Sequence, residues 1–266
     1  MRRALIVVLI ALGIRTPALA DPIDVANLVQ AAGGDATRIA LVIERTSDGQ
    51  RWTANPVRSV QRFSPASTSK IPHTLIALDA GLATPDTVFA WDGVPRSARV
   101  WNQDHTLRTA FQKSVVWVFQ RIAKAAGPGT MSDGLTRFGY GNMRIGTPDQ
   151  ITTYWLDNTL RISAQEQVVF LSKLASETLR LSGSTYAAAR DMMVSDKTNH
   201  WVMRSKTGWW YSKTDMDIGW YVGWLECTED TYVFALNMDM PDTRALSKRR
   251  GITYAVLERI GAFDCT

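Results

Sequence analysis

The strongest constraint on the fold is that strand-like segments lie near both ends of the chain, with helical patterns between them. Residues 38–44 are short, apolar and partly β-branched, and a second strand is expected around Trp52. Three further strand-like runs follow at 201–206, 218–226 and 232–238. We therefore expect an α+β protein in which the two terminal segments share one antiparallel sheet.

The middle of the chain is predicted to be an inserted helical lobe. Helical periodicity covers residues 67–80, 109–126, 130–138 and 164–179, and residues 246–260 form a closing amphipathic helix. We expect a single domain, residues 21–266, with a sheet lobe at 21–66 and 197–266 and a helical lobe at 67–196. A fold of two lobes places a cleft at their junction, which is a usual position for a small-molecule site.

The first twenty residues have the pattern of an export signal. A basic start is followed by an apolar stretch at 4–14 that is too short to span a bilayer, and Ala18-Leu19-Ala20 has the form of a cleavage site. The sequence thus predicts a leader at 1–20 that is removed, and a periplasmic protein without a membrane span.

Charge and composition exclude several classes of function. The formal charge of +5 includes three arginines of the leader, and no basic run alternates with aromatic residues as a nucleic-acid groove requires. The isolated histidines and the two cysteines, Cys227 and Cys265, do not have the spacing of metal ligands. We expect no metal and no nucleic-acid partner. A bridge between the cysteines is permitted in an exported protein but is not fixed by the sequence.

A candidate nucleophile and base lie at the start of the first central helix. Ser67 and Lys70 are three residues apart, so both side chains leave the same helical face. Ser64 is expected to cap the helix and Pro65 to occupy its first position, whereas Pro72 should disturb the first turns. Lys70 can serve as the base only if it is not an ordinary ammonium.

Three further motifs follow in an order that is rarer than any one of them. They are Ser114-Val115-Val116, Tyr140-Gly141-Asn142 in a glycine-flanked loop, and Lys206-Thr207-Gly208 on a predicted strand. Acyl transfer requires a nucleophile, a base, a proton shuttle and a strand edge that holds the substrate. Ser-x-x-Lys and Lys-Thr-Gly are known signatures of penicillin-binding active sites.

With these motifs the chain resembles the class D serine β-lactamases, or oxacillinases. The resemblance covers nearly all of the mature sequence. Its motifs are Ser-Pro-Ala-Ser-Thr-x-Lys at 64–70, Trp-Asp-Gly at 91–93, Ser-x-Val at 114–116, Tyr-Gly-Asn at 140–142, Trp-Leu at 155–156, Lys-Thr-Gly-Trp at 206–209 and Gly-Trp-Leu-Glu at 223–226. The Ser-Asp-Asn element of class A enzymes is absent, since Ser132-Asp133-Gly134 lacks the amide and is expected to belong to a helix.

The resemblance implies that carbon dioxide, available as bicarbonate, adds to Lys70 and converts it into an anionic base, with no separately bound cofactor. Val116, Phe119, Trp155 and Leu156 match the apolar pocket that makes this possible, because desolvation lowers the pKa of a lysine. The indole N–H of Trp155 is expected to donate to the carbamate.

The resemblance also implies roles for the remaining residues. Ser67 attacks the lactam carbonyl, and the backbone amides of Ser67 and Trp209 form the oxyanion hole. Ser114, assisted by Lys206, passes a proton to the lactam nitrogen. Lys206, Thr207 and Arg249 receive the substrate carboxylate, with Arg250 as the alternative register for Arg249. Trp101 matches an aromatic residue at the mouth of the cleft.

Ser69 departs from the family, which usually has an aromatic residue there. A hydroxyl removes apolar surface near Lys70, so we expect weaker or more easily reversed carbamylation and stimulation by added bicarbonate.

The predicted function is hydrolysis of penicillins and oxacillin-type β-lactams by a monomer or homodimer. The alternatives are a β-lactam sensor that is acylated without turnover and a penicillin-binding transpeptidase or carboxypeptidase. The sequence does not decide whether carbapenems or extended cephalosporins are substrates.

Overall fold

A computed structural model describes residues 21–212 and 214–265 of the chain. The strands are β1 Ile23–Asp24, β2 Ile39–Arg45, β3 Arg51–Ala54, β4 Val88–Phe89, β5 His105–Thr106, β6 Val194–Lys197, β7 Trp201–Trp210, β8 Asp217–Cys227 and β9 Thr231–Met240. The α-helices are α1 Ala26–Ala31, α2 Pro56–Ser59, α3 Lys70–Asp79, α4 Leu107–Gln112, α5 Val116–Phe138, α6 Ala164–Ala175, α7 Gly183–Met192 and α8 Ala245–Arg259. Short 3-10 helices occupy Ala66–Ser69, Arg99–Trp101 and Pro148–Gln150. The predicted leader lies outside the described residues.

Seven strands form one sheet in the order β1-β3-β2-β9-β8-β7-β6. The early strand β2 lies beside the late strand β9, with Ile39 opposite Met238. The pairs are antiparallel except for the short edge pair β1–β3, which is parallel. The predicted α+β fold, with one sheet built from both ends of the chain, is confirmed.

The sheet is covered on both faces, and alternating residues of β8 serve the two sides. Trp220, Val222 and Trp224 belong to the core shared with the helical lobe. Tyr221 and Leu225 belong to the core shared with α1 and α8. Successive side chains of a strand point to opposite faces, so each core uses every second residue of β8. With a core on each face, nearly every position is buried, and β8 is a nearly continuous apolar run.

The helical lobe differs from the prediction in several places, and the helix predicted at 164–179 ends at Ala175. The helix predicted at 109–126 is interrupted, because α4 ends at Gln112 and α5 begins at Val116. The strand β6 belongs to the sheet, so the sheet lobe begins before residue 197. Helix α7 was not predicted as a separate element, since it contains one glycine and several small side chains and few large apolar residues mark its buried face.

The helix predicted at 67–80 begins as the 3-10 turn Ala66–Ser69 and becomes α-helical at Lys70. Pro72 lies in the first α-helical turn, where a missing backbone N–H breaks few helical hydrogen bonds. At the other end of the chain, Cys227 and Cys265 form a disulfide with a Cα–Cα distance of 5.4 Å. None of the helices in the described part of the chain has the length and apolar character that a membrane crossing requires.

Candidate active site

Ser67 and Lys70 form a hydrogen-bonded pair at the N-terminal end of α3. The Lys70 amine donates to the Ser67 hydroxyl oxygen over 2.9 Å. Ala66, directly before the serine, has a left-handed φ of 46°. A residue other than glycine rarely adopts this conformation, because it costs about 1–3 kcal/mol of backbone strain. Strained residues of this kind cluster at functional sites. The predicted proximity of nucleophile and base is thus present in the structure.

Lys70 is held in an environment that disfavours its charged form. Its side chain is completely buried. Burial, and secondarily the charge of Lys206, hold the pKa of Lys70 well below its ordinary value. Its amine nitrogen lies 5.2 Å from the centre of the Phe119 ring, which is itself fully buried. Burial therefore favours the neutral amine, which is the form that a base or nucleophile requires.

Ser114 and Lys206 form a second serine–lysine pair. The Lys206 amine donates to the Ser114 hydroxyl over 2.6 Å and to the Thr207 carbonyl over 3.2 Å. Burial, and secondarily the charge of Arg249, lower the pKa of Lys206 to about 7. Ser114 has a φ of 57°, so the residue that interrupts the predicted helix is left-handed and strained. This pair joins β7 of the sheet lobe to the α4–α5 connection of the helical lobe.

Gly208 allows β7 to pass close to the turn that carries the nucleophile. A side-chain carbon at Gly208 would lie 3.0 Å from the Pro65 carbonyl oxygen and 3.1 Å from a methyl carbon of Thr68. Both contacts are tighter than ordinary van der Waals distance. The third residue of Lys-Thr-Gly is therefore a glycine for a packing reason.

Arg249 lies beneath the same strand. It is 7% exposed, and its guanidinium donates to the carbonyl of Gly208. Burial lowers its pKa to about 10, so it keeps its charge at neutral pH. A side-chain carbon at Gly219 would lie 2.2 Å from the sulfur of Met240 and 2.9 Å from the Arg249 side chain, so this glycine makes room for both. Arg250 instead forms an exposed ion pair with Asp196.

The segment that contains Trp155 is fastened to the nucleophile turn. The carbonyl oxygen of Trp155 accepts a hydrogen bond from the Ser64 hydroxyl over 2.8 Å and from the Ala66 amide over 3.1 Å. The prediction that Ser64 caps the helix is wrong, because its side chain bonds to this segment, and the helical turn begins at Ala66 rather than at Pro65. The Trp155 side chain is fully buried.

The indole nitrogen of Trp155 is a buried donor without a hydrogen-bond partner among the described residues. Such groups are rare because leaving one unpaired costs about 1–3 kcal/mol. Val116 and Leu156, the other predicted pocket residues, are half-buried. Leu156 belongs to the same segment, and its carbonyl accepts from the indole of Trp210 over 2.8 Å.

The remaining predicted residues lie on β7 and in the 3-10 turn Arg99–Trp101. Thr207 and Trp209 are exposed on β7, and the Trp209 indole donates to Asp217 over 2.8 Å. Trp101 is half-buried, and its indole donates to the carbonyl of Lys113, the residue before Ser114. This bond places the Trp101 indole against the residue that precedes Ser114.

Tyr140 and Asn142 hold neighbouring segments of the chain together, which fits the structural role that the sequence suggests for them. Tyr140 is fully buried, and its hydroxyl accepts from Gln167, whose amide also donates to Thr68 over 2.9 Å. Asn142 donates to the carbonyl of Thr159 over 2.9 Å. Gln167 was missed in the sequence because a polar residue on an amphipathic helix gives no sign that it points inward.

A cavity of about 280 Å³ is lined by Lys206, Thr207 and Arg250, where β7 extends beyond its pairing with β6. Within the described residues, no group of three or more His, Cys, Asp or Glu side chains is arranged to hold a metal ion.

The two-lobed fold and the two serine–lysine pairs define an acyl-transfer enzyme of the penicillin-binding type. In agreement, the family model described as the penicillin binding protein transpeptidase domain matches residues 36–258. The chain is similar to β-lactamase OXA-20 of Pseudomonas aeruginosa, with 41% identity over 226 residues that cover 84% of this chain and 82% of that protein. It is also similar to β-lactamase OXA-48 of Klebsiella pneumoniae, with 40% identity over 220 residues that cover 82% of each chain.

Solved structures give the same result. The class D β-lactamase YbXI from Nostoc superposes with a TM-score of 0.85 at 34% identity, covering 89% of this chain and 98% of that one. The class D enzyme FUS-1 (OXA-85) from Fusobacterium nucleatum gives a TM-score of 0.83 at 31% identity, covering 88% and 96%. The chain belongs to the class D serine β-lactamase family, and it is accordingly a hydrolase of β-lactams.

Proposed function

We propose that the protein hydrolyses penicillins and oxacillin-type β-lactams through an acyl-enzyme on Ser67, with carbamylated Lys70 as the general base. The observation that carries this proposal is a completely buried amine with a strongly lowered pKa, 2.9 Å from the Ser67 hydroxyl. A neutral amine is the form that reacts with carbon dioxide.

The residues around Lys70 suit a carbamate. Trp155 offers an unpartnered buried N–H, and Phe119 supplies an apolar wall against the amine. Val116 and Leu156 complete the apolar boundary of this proposed site. When carbon dioxide is bound, it supplies an anionic oxygen that can take the proton of Ser67 during acylation and of water during deacylation.

We further propose that the backbone amides of Ser67 and Trp209 form the oxyanion hole. Gly208 brings β7 against the turn of Ser67, which supports the required proximity of the two amides. Removal of one oxyanion-hole donor typically costs about 10²–10³-fold in rate.

The second pair is proposed to handle the leaving nitrogen and the substrate carboxylate. Ser114 receives a hydrogen bond from Lys206, and it can pass a proton to the lactam nitrogen while Lys206 replaces it. Lys206, Thr207 and Arg249 together would bind the carboxylate. Trp101, which stands beside Ser114, would line the mouth of the cleft.

The leader-like residues 1–20 support export to the periplasm. Carbon dioxide or bicarbonate is the only additional requirement that we propose. The assembly in solution is proposed to be a monomer or a homodimer, and no nucleic-acid partner is expected.

Two measurements on the purified protein test the proposal. With ¹³C-labelled bicarbonate at mildly alkaline pH, a carbamate resonance should appear that is absent from Lys70→Ala. Nitrocefin should be turned over repeatedly, and Ser67→Ala should be inactive while its thermal unfolding resembles that of the parent. A single equivalent of product would instead identify a sensor or a penicillin-binding protein. Normal hydrolysis without a carbamate resonance would overturn the proposed base.

A further inference from the structure

His73 is a buried titratable group that the proposed mechanism does not use. It lies on α3 three residues after Lys70, so the two side chains share a helical face. It is completely buried, and its Nε2 lies 2.6 Å from the hydroxyl oxygen of Tyr154. Tyr154 is also completely buried and directly precedes Trp155 in the chain.

Three aromatic rings pack pairwise against one another, those of His73, Tyr154 and Trp155. His73 meets Trp155 edge to face, with ring centres 4.7 Å apart and an interplanar angle of 86°. Tyr154 meets Trp155 in the same way at 4.9 Å and 84°, and His73 lies 5.5 Å from Tyr154. The ring of Phe119, which lies beside the Lys70 amine, has its centre 6.4 Å from the centre of the His73 ring. The orientation of the Trp155 indole is thus fixed by rings that extend back to the helix of Lys70.

The hydrogen bond between His73 and Tyr154 has one favoured direction. Burial lowers the pKa of His73 to about 3, so the imidazole is neutral. Burial raises the pKa of Tyr154, so the phenol keeps its proton. If Tyr154 donates to Nε2, the imidazole proton lies on Nδ1, and one donor stays unpaired. The opposite direction leaves both the phenol proton and Nδ1 unpaired, so it is less favourable.

His73 Nδ1 has no hydrogen-bond partner among the described residues, and neither has Trp155 Nε1. Two unmatched buried nitrogens in one aromatic cluster are costly. With the assigned proton positions both are donors, which is the arrangement that suits an anionic group nearby.

We propose that His73 is a positioning residue for carbon dioxide capture at Lys70: together with Tyr154 it fixes the orientation of the Trp155 indole, which is proposed to donate to the carbamate. This inference rests on the proposed carbamylation of Lys70. It predicts that the affinity for carbon dioxide depends on a histidine that does not contact the substrate.

The test is a titration with ¹³C-bicarbonate in which the carbamate resonance is measured directly. Tyr154→Phe and His73→Phe should each raise the bicarbonate concentration at half-occupancy about tenfold, the value expected for one lost hydrogen bond. His73→Gln keeps an acceptor near the position of Nε2 and should restore the half-occupancy point to within about threefold of the parent.

Tyr186→Phe is the matched control. Tyr186 is a buried tyrosine on α7 whose hydroxyl donates to the Leu179 carbonyl, outside this ring cluster. Its substitution should lower stability by a similar amount without moving the half-occupancy point. A point that stays within twofold of the parent in both Tyr154→Phe and His73→Phe would overturn the inference, and so would an equal shift in Tyr186→Phe. If the parent itself shows no resonance, the proposed carbamylation fails first; a parent resonance with unmoved variants refutes only the role of His73.

Discussion

The amine of Lys206 lies 2.6 Å from the hydroxyl oxygen of Ser114, and this contact joins the two lobes across the cleft. Lys206 comes from a strand of the sheet, whereas Ser114 comes from the strained connection between α4 and α5. Because the lysine is buried and its pKa is about 7, its charge changes within the range of pH that enzymes commonly experience.

The first prediction concerns this titration. The protonated form of Lys206 would bind the substrate carboxylate and supply a proton to Ser114. As the pH rises through about 7 this form is lost, so kcat/KM should fall, and the decline should approach tenfold per pH unit. Lys206→Arg should lose this alkaline decline even if its activity is lower, because a guanidinium stays protonated. The measurement is a pH profile with penicillin at saturating bicarbonate. A flat profile from pH 6 to 9 would contradict the assignment.

A second prediction separates chemistry from backbone strain at Ser114. Ser114→Ala and Ser114→Gly both remove the hydroxyl, and both should lower kcat/KM by about 10²–10⁴-fold. Only glycine relieves the left-handed φ of 57°, so the glycine variant should be about 1 kcal/mol more stable than the alanine variant in urea. Equal stabilities would show that this backbone is not strained.

Arg249 and Arg250 form a natural pair for the third prediction. Arg249→Ala should raise KM for penicillins about 10- to 100-fold, as expected for a lost charge-assisted hydrogen bond. Arg250→Ala, which removes an exposed ion pair with Asp196, should change KM less than threefold. A substrate with an esterified carboxylate should respond weakly to both changes. The reverse ranking would favour Arg250 as the residue that receives the carboxylate.

The fourth prediction tests the close approach of β7. Gly208→Ala should lower kcat/KM at least tenfold and destabilise the protein by about 1–3 kcal/mol, because the added carbon would contact the Pro65 carbonyl at 3.0 Å. Gly251→Ala in α8 is the control, since a side-chain carbon there would meet no atom within 4 Å. It should stabilise the helix by about 0.5–1 kcal/mol without loss of activity. Thermal melts and nitrocefin assays on both variants decide the matter.

The fifth prediction concerns Ser69, the departure from the family pattern. It is completely buried, and its hydroxyl donates to the Ala66 carbonyl over 2.7 Å. Ser69→Phe would add apolar surface beside Lys70 and should lower the bicarbonate concentration for half-maximal activity, at a cost of about 1–3 kcal/mol for repacking. Ser69→Ala removes the hydroxyl without adding a ring and serves as the control. If Ser69→Phe leaves the bicarbonate dependence unchanged, the proposed effect of this serine is wrong.

The reactive residues could be found in the sequence because their chemistry restricts the residue type at fixed spacings. Ser67 and Lys70 share one turn, and their proximity follows from helical geometry alone. The pairing of Ser114 with Lys206 could be expected only through the resemblance to a family, since it depends on how the two lobes are placed. The late strands were found because residues buried on both faces give long apolar runs.

Other features depend on contacts that no local pattern records. Ser64 has the residue type of a helix cap, but a distant carbonyl at Trp155 provides a better partner. The helical pattern at 109–126 is broken at Ser114, whose hydroxyl accepts from Lys206 on a distant strand, and no local pattern records that contact. His73 on an apolar helix looks like ordinary core, and its bond to Tyr154 becomes visible only when the chain is folded.

The adjacency of β2 and β9 determines the order in which the molecule can be completed. The two strands are neighbours in the sheet, yet the whole helical lobe separates them along the chain. During synthesis the hairpin of β2 and β3 lacks its neighbouring strand until β9 has been made. The turn that carries Ser67 likewise lacks its contact with β7. Closure of so long a loop is slow, and meanwhile the unpaired edge of β2 is open to association with other chains. Folding of this enzyme can therefore be completed only when the last third of the chain is present. A truncation there would leave an incomplete sheet with an exposed strand edge that favours aggregation.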